Sequence, residues 1–313
     1  MASPSGLSGS RAVDRFRAGT TIRRWSTSDR GPRARSGVSM RIAVLCERMA
    51  GERRVALTPE AAQTLVSDGH SVVVESGAGV AAGMPDDAYL TVGATVAPDL
   101  AATVGDAGVV VSVNGPTDGA TLGHLGAGHI LVGLFDPFWL PDVAARVAAT
   151  GATMIALDLV PRSTRAQAVD VLSSMATVEG FQSVLLAAGR LPKMLPMLMT
   201  AAGTVPPARV LVLGAGVAGL QAIATARRLG AVVEGFDIRE EALEQIRSLG
   251  AKSVDPPPAP DGGVPDAVLI HEVLAPHVAE ADIVIATAQI PGRQSPLLVT
   301  AAMVAGMRPG SVL

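Results

Sequence analysis

The sequence predicts an α/β protein made of two Rossmann-like domains of parallel sheet joined by a long helix. Short runs rich in Val, Ile and Leu alternate with Ala-rich helical segments, which is typical of parallel sheets covered by helices. Aromatic residues make up 3% of the chain, which disfavours an all-β sandwich. A length of 313 residues exceeds the usual size of one hydrophobic core, so two domains are expected.

Charge and composition argue against several classes of protein. A formal net charge of −3, without a basic stripe and interleaved aromatics, disfavours nucleic acid as a partner. The single cysteine, Cys46, excludes an intramolecular disulfide and favours a reducing compartment. We predict no metal site, because the five histidines lack partners at ligand spacing. We also predict no membrane span, since the most apolar stretch, 209–226, contains three motif glycines.

Residues 1–39 differ in composition from the rest of the chain. They contain eight arginines against two aspartates, many serines and glycines, and little apolar periodicity. Such a segment buries too little apolar surface to offset the entropy lost on ordering. We therefore predict a disordered Arg/Ser-rich extension before the first domain.

The first domain is predicted over residues 40–161. Its first strand covers 41–46, and Thr58-Pro59-Glu60 opens the first helix with an N-cap threonine followed by proline. Further Val/Ile/Leu runs separated by helical or Gly/Pro-rich segments give the other predicted strands, which are Ser71–Glu75, Ala107–Val113, His129–Leu134 and Thr153–Leu157. This alternation predicts a parallel sheet with crossover helices.

A bridging helix is predicted in a linking region over residues 162–190. From Arg165 to Ala188, apolar residues recur at steps of three and four, which predicts a helix with one apolar face. The face consists of Ala168, Leu172, Met175, Val178, Phe181 and Leu185. A second strand-helix series, after a loop over 200–207, makes up the second domain, residues 191–313.

The second domain carries a dinucleotide-binding pattern. Gly214, Gly216 and Gly219 form G-x-G-x-x-G between an apolar strand and an Ala-rich helix. The glycines permit a tight turn, the approach of a pyrophosphate and the packing of helix on strand. The next strand ends in Asp237, 23 residues after Gly214, where a carboxylate can bind both ribose hydroxyls. This acid predicts NAD(H) rather than NADP(H), although Arg239 is a candidate partner for a 2′-phosphate.

Several stretches resemble the alanine dehydrogenase and transhydrogenase superfamily. Met40-Arg-Ile-Ala-Val-Leu-Cys-Glu-Arg48 and Arg54-Val-Ala-Leu-Thr-Pro-Glu60 are similar to the opening of the whole superfamily. Pro161-Arg162-Ser-Thr-Arg-Ala-Gln167-Ala-Val-Asp170-Val-Leu-Ser173, with segments 199–208 and 290–292, resembles the NAD(H)-binding alpha subunits of proton-translocating transhydrogenases. The resemblance covers nearly everything from Met40 to Leu313.

The resemblance implies site residues in addition to the glycines. Arg162, Gln167 and Asp170 are expected beside the nicotinamide, with Ser173 close by. Gln167, Asp170 and Ser173 are spaced as neighbours on a helix, and none of the four is an obvious proton carrier, which suits direct hydride transfer between two nicotinamides. The remaining expected NAD(H) contacts are Ala215, Val217, Ala218, Ile238, Arg239, Ala288 and Gln289.

The resemblance also implies partners and a location. Hydride transfer requires an NADP(H)-binding subunit, and proton translocation requires a membrane-embedded proton-channel subunit. This chain is expected to form a homodimer on the cytoplasmic side of the cell membrane, held there by its partners. Members of the family continue past the position of Leu313, so the C-terminal end is expected to be incomplete.

Two other functions stay open at this stage. An alanine dehydrogenase would use Arg54 as its substrate arginine, but transhydrogenases share that local sequence. Asn114 stands where alanine dehydrogenases have a lysine, and Leu134-Phe135-Asp136-Pro137 replaces their Tyr-Leu-His, so amino-acid oxidation has little support. A truncated, non-catalytic NAD-binding module is the third hypothesis, motivated by the incomplete C-terminal end.

Overall fold

A computed structural model describes residues 39–116, 118–259, 263, 265–289 and 294–313. The predicted N-terminal extension, apart from Ser39, and the 290–292 motif lie outside the described residues. Within them, two parallel sheets occupy separate stretches of the chain, 41–156 and 209–286. The predicted fold class, two Rossmann-like parallel sheets connected through a long helix, is confirmed.

The first sheet has six strands in the order β3-β2-β1-β4-β5-β6. Its strands are β1 (Arg41–Val44), β2 (Ser71–Glu75), β3 (Thr95–Ala97), β4 (Val109–Asn114), β5 (Ile130–Leu134) and β6 (Thr153–Ala156). Its helices are α1 (Pro59–Ser67), α2 (Asp86–Thr91), α3 (Leu100–Val104), α4 (Gly119–Leu122) and α5 (Pro141–Thr150). Strand β3 was absent from the sequence prediction, because three residues before a proline give too short a pattern to recognise.

Local signals explain where elements of this sheet begin. Thr58 caps α1, its hydroxyl accepting a hydrogen bond from the backbone N–H of Ala61 at 3.3 Å. Apolar side chains cover both faces of the sheet, with clusters around Val72 and Tyr89 on one face and Leu131 and Val147 on the other. The strand order reverses between β1 and β4, so the carboxyl edge there is a topological switch point.

The connection between the sheets contains a long helix and a hairpin. Helix α6 spans Val171–Arg190 and follows a 3-10 turn at Thr164–Val169. Strands β7 (Leu198–Thr200) and β8 (Gly203–Val205) then form an antiparallel hairpin. The sequence prediction placed a loop over 200–207, and was wrong there because the hairpin's residues are exposed and show no alternating apolar pattern.

The second sheet has four parallel strands in the order β11-β10-β9-β12. Its strands are β9 (Arg209–Leu213), β10 (Val232–Phe236), β11 (Lys252–Val254) and β12 (Ile283–Ala286). Its helices are α7 (Val217–Arg228), α8 (Glu240–Ser248), α9 (Ala267–Glu280) and α10 (Ala301–Ala305). Val312 adds a parallel bridge to Ile283 at the outer edge of β12. Here the strand order reverses between β9 and β12, beside the glycine motif.

Helix α6 packs differently from the sequence prediction. The expected apolar face was wrong: Val178, Phe181 and Leu185 are 48%, 43% and 38% exposed, whereas Val184 and Ala187 are buried. Ala168 is exposed as well, and it precedes the helix. Periodicity identifies apolar positions but not which of them meets a neighbouring helix. The side of α6 that is buried contains Gly180, Val184 and Ala187.

The same helix has the length and composition of a membrane span. Its mean hydropathy is 1.3 over an 18-residue window, of which 17% is buried. The sequence prediction had taken 209–226 as the most apolar stretch, but that stretch forms β9, the glycine turn and most of α7. Glu179 lies in the middle of α6, and the buried side of the helix packs on α7.

Candidate dinucleotide-binding site

The glycine-rich turn after β9 has a different steric requirement at each glycine. Gly214 has φ +93, and a Cβ there would lie 2.8 Å from the backbone nitrogen of Ala288. A Cβ on Gly219 would overlap the carbonyl of Gly214, so only glycine lets α7 approach the turn this closely. At Gly216 a Cβ would meet no atom within 4 Å, which leaves open space above the backbone. These geometries correspond to the three roles expected of the motif.

Within the described residues, no side chain caps the backbone N–H groups of the first turn of α7. Gly216 is the N-cap residue and provides no side-chain cap, so the N–H groups of the first turn, which begins with Val217 and Ala218, keep their hydrogen-bonding capacity. The helix has twelve residues, and its dipole places partial positive charge at the same end. The arrangement suits a pyrophosphate.

Thr287 supports the turn, and the sequence analysis did not identify it. Its hydroxyl donates to the carbonyl oxygen of Gly214 at 2.9 Å, and its backbone N–H donates to the carbonyl of Leu213 at 2.8 Å. The expected contact residues follow directly, with Ala288 half-buried and Gln289 exposed. Thr287 directly follows β12, the strand beside the motif strand, and this position is the signal that could have identified it from the sequence.

Asp237 lies at the carboxyl end of β10 and is 8% exposed. Its carboxylate accepts hydrogen bonds from the backbone N–H of Ala215 at 2.8 Å and of Arg239 at 3.0 Å. The Arg239 guanidinium donates to both carboxylate oxygens, at 3.0 and 2.9 Å. Burial raises the pKa of Asp237, but the hydrogen bonds from Arg239 and Ala215 outweigh it and hold the pKa below its ordinary value. Ile238, between the two charged residues, is 43% exposed.

The residues expected beside the nicotinamide lie in the connection from β6 to α6. Arg162 and Gln167 are exposed, and Gln167 belongs to the 3-10 turn. Asp170 is the N-cap of α6 and accepts from the backbone N–H of Ser173 at 2.9 Å and from its hydroxyl at 2.6 Å. Those bonds, aided by the charge of Arg162, lower the pKa of Asp170. The expectation that Gln167, Asp170 and Ser173 share one helix was therefore wrong, since α6 begins only after its cap.

Helix α6 connects this region to the glycine-rich turn. Ten residues after Asp170, Gly180 packs against the first turn of α7, and a Cβ on Gly180 would overlap the carbonyl oxygen of Ala218. At 1.5 Å per residue, Asp170 and Gly180 are about 15 Å apart along the helix axis. The N-cap of α6 and the N-terminal end of α7 are thus connected through a single helix.

A polar cluster occupies the carboxyl edge of the first sheet. Glu52 binds the guanidinium of Arg54 through both oxygens, at 2.8 and 2.6 Å, and accepts from the Asn114 amide at 2.8 Å. Glu47 accepts from the backbone N–H of Asn114 at 3.1 Å. The hydrogen bonds from Arg54 lower the pKa of Glu52 to about 2. Glu179 of α6 adds a further negative charge near Arg54.

Two family models match the chain over most of its length. Residues 43–179 match the model described as "Alanine dehydrogenase/PNT, N-terminal domain". Residues 183–313 match the model described as "Alanine dehydrogenase/PNT, C-terminal domain". The boundary between the two matches falls within α6.

Individual relatives share the transhydrogenase name. The chain is 43% identical to an NAD(P) transhydrogenase subunit alpha of Cereibacter sphaeroides, covering 88% of this chain and 54% of the relative. It is 42% identical to the first part of an NAD(P) transhydrogenase subunit alpha of Rhodospirillum rubrum, covering 88% and 76%. The chain therefore spans about half of the first relative and three quarters of the second.

Solved structures include both branches of the family. A transhydrogenase from Sinorhizobium meliloti superposes with a TM-score of 0.78 at 44% identity, covering 87% of this chain and 77% of that one. An L-alanine dehydrogenase superposes with a TM-score of 0.73 at 30% identity, covering 87% and 73%.

Proposed function

This chain belongs to the alanine dehydrogenase/PNT family, in its transhydrogenase alpha-subunit branch, and from that premise we propose that it binds NAD(H) and exchanges hydride with NADP(H) on a partner. The nucleotide lies at the carboxyl edge of the second sheet. Its pyrophosphate approaches Gly216 and the first turn of α7, and its adenine ribose approaches Asp237. The observation that carries the proposal is the open space at Gly216, next to uncapped helix N–H groups.

The nicotinamide end is proposed to lie at the start of α6. Gln167 offers an amide that matches the donor and acceptor of a carboxamide, and Arg162 offers a cation. Asp170, the N-cap of α6, holds the start of the helix through Ser173 and places a negative charge near Arg162. In the reaction, C4 of the dihydronicotinamide of NADH gives a hydride to C4 of NADP+, which yields NAD+ and NADPH with no proton exchanged. The protein's task is therefore to align two rings and exclude water.

The polar cluster of the first sheet weighs against the alternative of alanine dehydrogenase. A carboxylate substrate at Arg54 would compete with Glu52, whose two oxygens already accept from the Nε and Nη2 donors of the guanidinium. Asn114, at the position where alanine dehydrogenases have lysine, cannot carry a positive charge, and its amide is bonded to Glu52. Alanine-dependent reduction of NAD+ by this chain would restore that alternative.

The proposal predicts a specific kinetic effect for Gln167→Ala. With a family NADP-binding domain as partner, reduction of an NAD analogue by NADPH should slow at least tenfold, while the Kd for NADH changes less than threefold. Misalignment of the reacting carbons costs rate before it costs affinity. NADH fluorescence titration gives the Kd, and the absorbance of the reduced analogue gives the rate.

Gln63→Ala, at an exposed position of α1, is the matched control and should leave both quantities unchanged. Equal loss of rate and affinity in Gln167→Ala would place Gln167 in ground-state binding instead. If wild-type chain binds NADH and docks the partner without any exchange, it acts as a non-catalytic NAD-binding module.

We further propose that the chain works as a homodimer with an NADP(H)-binding subunit and a membrane-embedded proton-channel subunit. The exposed apolar face of α6 and its neighbours support the dimer, since Phe181, Leu186 and Met199 are 43%, 57% and 74% exposed. Exposure of this apolar surface to water is unfavourable, and contact with a second copy of the chain would bury it. Its partners would hold the chain at the cytoplasmic side of the cell membrane.

A further inference from the structure

The acid at the end of β10 and the arginine two residues later form a closed pair. Arg239 donates through Nε and a terminal nitrogen to the two oxygens of Asp237, at 3.0 and 2.9 Å. Its terminal nitrogen also approaches the carbonyl of Ala215 at 3.5 Å. The carboxylate is 8% exposed, whereas the arginine side chain is 59% exposed. The cation therefore covers the acid on the solvent side.

The two groups prefer different nucleotides at the same position. In a Rossmann sheet, the end of this strand meets the adenine ribose, where a carboxylate binds the 2′- and 3′-hydroxyls and an arginine binds a 2′-phosphate. A guanidinium is a rigid planar fork that pairs equally well with carboxylate and with phosphate. Asp237 occupies the Nε and Nη2 donors of Arg239, so a phosphate can use that edge of the fork only by displacing the carboxylate.

We propose that Arg239 is a latent 2′-phosphate site that Asp237 keeps closed. The inference rests on the proposed NAD(H) site at this edge of the sheet and specifies how that site chooses its nucleotide. Asp237 acts twice, because it repels a 2′-phosphate directly and also engages the cation that would neutralise it. Loss of the charge on Asp237 should therefore raise the affinity for a 2′-phosphate, rather than simply weaken the binding of NAD(H).

The surroundings explain why the site is closed in this chain. Arg239 is the N-cap residue of α8, whose first turn carries Glu240 and Glu241. Arg247 is held by Glu240 at 2.8 Å and by the Ser253 hydroxyl at 3.2 Å. Arg247 therefore neutralises Glu240, while Asp237 and Glu241 place negative charge near Arg239. A 2′-phosphate would have to replace Asp237 as its partner at the Nε and Nη2 edge.

The test uses 5′-AMP and 2′,5′-ADP, which isolate the adenosine end of the nucleotide. Calorimetric titrations of the full chain compare wild type, Asp237→Asn, Arg239→Ala and the double variant. We expect wild type to bind 2′,5′-ADP at least tenfold more weakly than 5′-AMP. Asp237→Asn should bind 2′,5′-ADP at least tenfold more tightly than wild type, and the double variant should lose that gain.

Two readouts separate the proposal from a general change in the site. Arg239→Ala alone should not improve binding of 2′,5′-ADP, and the gain in Asp237→Asn should shrink as salt rises, because it is an ion pair with phosphate. Asparagine keeps an oxygen for the N–H of Ala215, and thermal unfolding of each variant checks the fold. If Asp237→Asn and the double variant bind 2′,5′-ADP equally, Arg239 is not the phosphate partner and the inference is wrong.

That outcome differs from failure of the proposed function. If wild-type chain binds neither NADH nor 5′-AMP, the NAD(H) site itself is misassigned. If it binds NADH and supports hydride exchange while the two Asp237 variants are equal, only the latent site is refuted.

Discussion

Glu52 is the carboxylate whose titration the structure perturbs most clearly. Its pKa of about 2, below the ordinary 4.5, means that the ionised carboxylate stabilises the folded chain at neutral pH. A depressed pKa in the folded state stabilises above pH 4.5, and the contribution is lost as pH falls toward 2. Glu52→Gln should therefore lower the free energy of unfolding by about 1 to 3 kcal/mol at pH 7, and by less at pH 3.5.

Urea unfolding at several pH values measures this difference. Glu244→Gln, at an exposed position of α8, removes a carboxylate without a bound partner in the described residues and should cost almost nothing at any pH. A deficit for Glu52→Gln that stays constant from pH 7 to 3.5 would assign its role to packing rather than to charge.

Some features of individual residues could be predicted from the sequence, and others depend on contacts that only the fold creates. The conformational demands on Gly214 and Gly219 are local, so the spacing of the motif was enough to anticipate them. Glu52 and Asn114 are 62 residues apart, and their hydrogen bond exists only once β1 and β4 are neighbours. Arg239 lies two residues from Asp237, yet an exposed arginine has many rotamers, and spacing does not show which acid it contacts.

At the scale of elements, the contact of α6 with α7 depends on one glycine. Gly180→Ala places a methyl group against the backbone carbonyl of Ala218, which cannot move without moving the helix. The variant should lose about 1 to 3 kcal/mol of stability and bind NADH more weakly, since overpacking displaces α7. Denaturant unfolding and NADH fluorescence titration measure the two effects.

The same helix provides the control. A methyl group added at Gly189 would meet no atom within 4 Å, so Gly189→Ala should stabilise the chain by about 0.5 to 1 kcal/mol through helix propensity. Comparable behaviour of the two alanine variants would mean that the close approach at Gly180 is not required.

Helix α6 shows what apolar patterns in the sequence do not predict, namely which side of a helix is buried. Strands such as β2, with three consecutive buried valines, are recognisable because both faces of a parallel sheet are covered. In α6 apolar residues lie nearly all around the helix, and the periodicity predicted the wrong side as the buried one. The buried side consists of Gly180, Val184 and Ala187. The division of the chain at residues 161 and 190 stays a prediction.

At the scale of the whole molecule, the proposed dimer predicts an oligomer that one charge can disrupt. Phe181→Glu should shift the chain from dimer to monomer in sedimentation velocity, because an unpaired carboxylate cannot be buried in an apolar interface at low cost. Val268→Glu, at a 62% exposed position of α9 on the opposite face of the second sheet, should leave the dimer intact. A wild-type chain that sediments as a monomer at tens of micromolar would refute the dimer.

The contact at Gly180 also constrains the number of residues between Asp170 and Gly180 in α6. Each residue of an α-helix turns the chain by about 100° and advances it by about 1.5 Å. Inserting or deleting one residue between Asp170 and Gly180 would rotate the N-cap to another side of α6 while the crossing with α7 stays fixed. In the proposed site this ten-residue interval sets the distance from the nicotinamide end to the pyrophosphate, so a change in its length should disturb NADH binding more than a change in its composition.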